Sequence, residues 1–162
     1  MAALLTLLLL SAPPAKLTVL WPRVFPSARA DATAPLAQAA QVQVALAAKR
    51  ALPGREQELK PKGERSYPEA GCAGGSVGVL ILREGDACAA VALIGVEGRG
   101  RVRLAAWAGV LELKKYEVEF REPPESAVCV KDFVKCADLA ALMQKPNADV
   151  ERAMVDMLAP AK

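Results

Sequence analysis

Apolar residues in the second half of the chain are spaced as in β-strands. Two continuous apolar runs, at 77–82 and 88–96, are typical of central strands that are buried on both faces. A third segment, 101–108, alternates: aliphatic residues hold the even positions, while two arginines and a tryptophan hold odd ones. This pattern predicts three neighbouring strands, with a hairpin turn at 97–100 before the third.

The same pattern continues beyond the third strand. Gly109 permits a bend or bulge. The apolar parity then reverses at Lys114–Lys115, and strands are expected near 116–120 and 127–130. Strands that follow one another in series and precede helices indicate an antiparallel sheet in an α+β fold.

One face of the third strand is the candidate binding surface. An exposed tryptophan beside cations is typical of such surfaces. The residues are Arg99, Arg101, Arg103 and Trp107. Two other interpretations stay open: a solvated face neutralised by Glu97, Glu117 and Glu119 across the sheet, and burial of the tryptophan under a helix.

Two helices are predicted at the C-terminus. Asp138 is expected to cap a helix that ends near Gln144, and Asn147 is expected to cap the last one. The last helix carries an apolar stripe at helical spacing. Its members are Val150, Met154, Met157 and Leu158.

The residues before the predicted sheet are compatible with more than one kind of element. Segment 36–52 is alanine-rich and follows Pro35, which favours a helix, but its centre alternates as in a strand. Segment 55–71 is charged and rich in Pro and Gly, which predicts a surface loop. We therefore expect an α+β domain: a small antiparallel β-sheet of about five strands over 77–130, two C-terminal helices, and an N-terminal helix or strand, with disulfide bonds.

The N-terminus is expected to be an export signal. Residues 1–10 are almost wholly apolar but too short to span a bilayer. Ala28 and Ala30 are the small residues that a signal peptidase accepts, so we predict cleavage after Ala30. The predicted organisation is a signal peptide at 1–30, a segment 31–71 holding the N-terminal element and the charged loop, and a β-rich core domain at 72–162. An uncleaved anchor and a buried N-terminal helix are the alternatives.

The four cysteines, Cys72, Cys88, Cys129 and Cys136, all follow the predicted cleavage site. In an oxidising compartment an even number of cysteines indicates disulfides. We favour pairing of neighbours, Cys72 with Cys88 and Cys129 with Cys136. A zinc site of four thiolates is the alternative, although structural zinc sites place their ligands in closely spaced pairs and these cysteines are not so spaced.

Charge and histidine content exclude several functions. The chain has 21 basic and 18 acidic residues, and three of the basic ones lie in 1–30, which has no acid, so the remainder is neutral. A neutral domain is not expected to bind nucleic acid non-specifically. The chain has no histidine, which excludes Ser-His and Cys-His catalysis and histidine-ligated metals.

These observations favour an exported, non-catalytic binding or structural protein of the bacterial periplasm or cell envelope. Its partner is an unknown protein or envelope component, and no cofactor, metal or transmembrane segment in the mature chain is expected. One alternative is a small exported hydrolase whose carboxylates come from the acidic run Glu117, Glu119, Glu122 and Glu125. Another is an intracellular protein with reduced cysteines.

Overall fold

A computed structural model describes residues 15–63, 74–96, 101–111, 117–119 and 128–159. In these ranges the chain forms ten strands, a 3-10 turn and three helices. The strands are β1 Leu17–Val19, β2 Arg23–Phe25, β3 Gln57–Leu59, β4 Ser76–Glu84, β5 Ala87–Gly95, β6 Arg101–Ala108, β7 Val110–Leu111, β8 Glu117–Glu119, β9 Val130–Lys131 and β10 Val134–Lys135. The 3-10 turn is Ser27–Arg29, and the helices are α1 Ala34–Ala51, α2 Cys136–Gln144 and α3 Ala148–Leu158.

The main sheet is mixed. Its strand order is β3-β1-β4-β5-β6-β8, with β2 also paired to β4 and β10 to β5. Strands β4, β5, β6 and β8 are antiparallel, whereas β1, β2 and β3 run parallel to their neighbours. The prediction of a purely antiparallel sheet was therefore wrong, because β1, β2 and β3 are parallel to their neighbours. Helix α1 connects β2 to β3, two strands of the same direction, and strands of the same direction need such a crossover connection.

The two apolar runs form the centre of the sheet, as predicted. Strand β4 is buried from Ser76 to Leu82, and β5 is buried from Cys88 to Gly95. Three helices cover one face and build the larger hydrophobic cluster. A second cluster lies on the other face, around Leu80, Val91 and Leu104. Burial on both faces explains why neither strand alternates in sequence.

Residues of the predicted leader take part in this sheet. Strands β1 and β2 lie along β4, and between Val19 and Arg23 the N-terminal chain has one residue more than the facing segment. Leu17, Val19 and Leu20 are at most 1% exposed. Cleavage after Ala30 stays a prediction, but it would remove both strands, including one that lies between β3 and β4.

Segment 36–52 forms α1, so the helical interpretation was correct. Pro35 stands in the first turn, where its missing N–H costs nothing. Most of the buried residues of α1 are alanines. Within the predicted loop 55–71, residues 57–59 instead form β3.

Both C-terminal helices are present. Asn147 caps α3, as predicted, and accepts bonds from the amides of Asp149 and Val150. Helix α2 begins at Cys136, two residues before the predicted cap at Asp138. The earlier start follows from β10, which leads directly into α2 and pairs with β5.

Gly109 bends the chain between β6 and β7 at a φ of +83°. The predicted strand at 127–130 is represented by β9, which pairs with β7. The hairpin at 97–100 and the register change at Lys114–Lys115 lie outside the described residues.

Candidate functional site

A groove of about 490 Å³ lies between β6 and the first two turns of α3. This volume is in the range of small-ligand sites. One wall comes from the β6–β7 segment and the other from the helix. The lining residues are Arg103, Leu104, Ala105, Ala106, Trp107, Gly109, Val110, Leu111, Asn147, Asp149, Arg152 and Ala153.

Two of the predicted surface residues meet in this groove. Arg103 and Trp107 are four positions apart on β6, so both face the helices. Arg103 is half-buried and Trp107 is 5% exposed. The indole Nε1 of Trp107 is buried without a hydrogen-bond acceptor among the described residues. Trp107 thus forms part of the floor and does not lie on an open surface.

The other two predicted residues are not described at the side-chain level. Arg101 belongs to β6, where its backbone pairs with that of Glu119, and Arg103 pairs with Glu117. This register places acidic positions across the sheet from both arginines. Arg99 lies outside the described residues, as do Glu122 and Glu125 of the acidic run.

Helix α3 supplies the second wall. The Asn147 side chain accepts bonds of 3.1 Å from two amides of the first turn, and its Nδ2 donates to the carbonyl of Ala106 at 3.5 Å. Asn147 therefore fixes the start of α3 against β6. The amino-terminal end of a helix carries partial positive charge, and here it borders the groove.

The described lining residues of the groove include more basic than acidic groups. Arg103 and Arg152 are basic, and Asp149 is acidic. The neighbouring carboxylate of Glu151 is engaged by Arg50 at 3.2 Å. The three groove residues from α3 were not predicted as a site. The sequence indicated the helix and its cap, but not that this helix packs against β6.

The disulfide of the structure joins Cys88 to Cys136, with their Cα atoms 4.8 Å apart. The predicted pairing of neighbouring cysteines was therefore wrong. Antiparallel pairing of β10 with the start of β5 brings the two residues together although 48 positions separate them. Cys129 is exposed with a free thiol, and Cys72 lies outside the described residues.

The disulfide also removes the alternative of a four-thiolate zinc site, because a disulfide sulfur is not a thiolate ligand. Within the described ranges, no group of three or more Cys, Asp or Glu residues is arranged to hold a metal ion.

Comparison with known proteins gave no match to a family model, a curated protein sequence or a solved structure. None of the helices in the described ranges is both long enough and apolar enough to cross a membrane.

Proposed function

We propose that the protein is a non-catalytic binding domain and that the groove between β6 and α3 holds an acidic peptide. The observation that carries this proposal is the convergence of Arg103, Arg152 and the positive end of α3 on one groove with an aromatic floor. Arginine forms strong hydrogen bonds with carboxylates at neutral pH, because its planar donors match both carboxylate oxygens.

The groove also offers apolar contacts along its length. Val110 is 53% exposed, and Leu111 follows it half-buried. A ligand that covers them while its carboxylate reaches an arginine combines area burial with orientation, as small binding sites commonly do. Trp107 forms part of the floor beneath such a ligand.

The carboxylate chemistry of the groove supports binding over hydrolysis. A glycoside hydrolase needs two carboxyl groups facing one bond across a cleft. Among the described lining residues, Asp149 is the single carboxylate.

The test is a titration of the isotope-labelled protein with a Glu-rich heptapeptide and a Lys-rich heptapeptide, followed by amide NMR shifts and calorimetry. The Glu-rich peptide should shift amides in 103–111 and 147–153. Arg152→Gln should weaken its binding about threefold, because that side chain is exposed and its charge is screened. The double variant Arg103→Gln/Arg152→Gln should abolish it.

The matched control is Arg29→Gln. Arg29 is exposed in the 3-10 turn after β2, which pairs with β4, two strands away from β6. This variant should bind as the parent does. Equal binding of the Lys-rich peptide, or shifts confined to other elements, would contradict the proposal.

We also propose that the protein works after export, in the periplasm or outside the cell. The Cys88–Cys136 disulfide supports this, because such bonds persist in oxidising compartments. Since β1 is buried, we place the processing site before Leu17. Intact mass of the protein recovered from both cells and medium, before and after reduction, tests this directly: a product that begins at Asp31 would contradict our site, and an unprocessed protein with reduced Cys88 and Cys136 would contradict export.

A further inference from the structure

We infer that β3 is the interface of a homodimer in which the β3 strands of two copies pair antiparallel about a two-fold axis through Leu59. In the described part of the chain, β3 ends the sheet and its one strand partner is β1. An exposed sheet edge is a template for a further strand. The residues around β3 indicate that this further strand is the β3 of a second copy.

The charges around Leu59 are self-complementary. Glu56 and Glu58 precede it, and Lys60 and Lys62 follow at the same two-residue spacing. A two-fold axis through Leu59 places each Glu58 opposite a Lys60 of the second copy, and each Glu56 opposite a Lys62. Directly opposed charges of unlike sign stabilise antiparallel pairs.

The backbone has the direction that this pairing needs. The amide of Leu17 donates to the carbonyl of Glu56, and the amide of Lys60 donates to the carbonyl of Val19. Even positions therefore direct their backbone groups toward β1, and odd positions direct theirs outward. Leu59 can exchange two hydrogen bonds with its copy, and Pro61, which lacks an N–H, has only to accept from Gln57.

The faces of β3 on which its side chains lie are also consistent with this dimer. Gln57 donates to the Ala45 carbonyl of α1, so odd positions face that helix. Leu59, at 46% exposure, lies on this face. On the opposite face, Glu58 and Lys60 of one chain are in contact at 3.1 Å. Apolar and charged contacts of the dimer thus lie on different faces of the sheet.

Helix α1 extends the apolar part. Val42 and Leu46 are 45% and 43% exposed. Val42 adjoins Gln41, and it lies one turn from Ala45; both of these residues contact β3 or the segment after it. A two-fold axis perpendicular to the sheet keeps both α1 helices on one face, where these residues approach the second copy.

The experiment is sedimentation of the full chain over a range of concentrations, with charge reversals at the edge. The parent should show a monomer–dimer equilibrium. Glu58→Lys alone and Lys60→Glu alone each oppose like charges twice in the dimer, so each should raise the dissociation constant at least about tenfold. Glu84→Lys, at an exposed position on β4, is the matched control and should dimerise as the parent does.

Mixing the two variants is the most direct test of the proposed pairing. In a dimer of one Glu58→Lys chain and one Lys60→Glu chain, every position 58 faces an opposite charge at position 60, so the mixture should dimerise although neither variant does alone. A parent that is monomeric at all concentrations overturns the inference. So does a dimer that both reversals leave intact, or a mixture that stays monomeric while each variant retains the melting curve of the parent.

Discussion

Arg55 connects three segments that are distant in sequence. Its guanidinium donates to the carbonyls of Ala15, Gly74 and Leu158. The Leu158 carbonyl belongs to the last turn of α3, where a positive charge is favourable. We predict that Arg55→Lys lowers the free energy of unfolding by about 2 kcal/mol, because lysine cannot reach all three acceptors. Urea unfolding measures this, with the exposed Arg29→Lys as the control expected to show no change.

Gly109 is predicted to tolerate no side chain. Its φ is +83°, and an added Cβ would lie 2.5 Å from Val130 and 2.9 Å from the Lys131 carbonyl. Gly85 also has positive φ, but an added Cβ there meets nothing within 4 Å. Both alanine variants carry the cost of the left-handed backbone, so the comparison isolates the clash with β9. Gly109→Ala should be at least about 2 kcal/mol less stable than Gly85→Ala in thermal unfolding. Equal losses would contradict close packing of Gly109 against β9.

The sequence predicted the roles of some groove residues and not of others. Asn147 was identified as a cap because capping depends on the next three residues, which are local. Arg103 and Trp107 were placed on one face by strand parity alone. The contribution of Arg152 to the same groove depends on the docking of α3 on β6, and no local pattern encodes such a contact.

The disulfide joins the start of β5 to the start of α2. We predict that Cys136→Ser lowers the free energy of unfolding by about 3–4 kcal/mol, since the bond closes a long loop in the unfolded chain. Adding reductant to the parent should have the same effect. Cys129 is exposed with a free thiol, so Cys129→Ser serves as the control and should leave stability unchanged. A reductant effect that persists in Cys136→Ser would point to a different bond.

The long central strands were predictable, and the three short parallel strands were not. Strands β4 and β5 extend over nine residues each, and their apolar runs indicate them without further context. Strands β1, β2 and β3 have three residues each, too few for a periodicity to emerge. They form because parallel neighbours from distant parts of the chain satisfy their backbone groups. The apolar patch at 17–21 was visible, but an export signal has the same composition.

The two proposed interaction surfaces occupy separate parts of the sheet. Strand β3 forms one edge, and β6, which carries the groove, lies four strand spacings away, or roughly 20 Å. Pairing through β3 would therefore leave both grooves open. A dimer with two open grooves binds a multivalent acidic partner more tightly than either chain alone, without any new contact.

The position of β1 makes the N-terminal boundary of the folded unit testable. A chain that begins at Lys16 retains every described strand and should unfold cooperatively like the parent. A chain that begins at Asp31 loses the buried side chains of Leu17, Val19 and Leu20, together with that of Val24. Each buried aliphatic side chain contributes about 1.5–3 kcal/mol, and the sum approaches the total stability of a small domain, about 5–15 kcal/mol. Circular dichroism melts should therefore show no cooperative transition for the shorter chain. A sharp transition in it would mean that β3 and β4 close the sheet without β1, and cleavage after Ala30 would then leave a folded product.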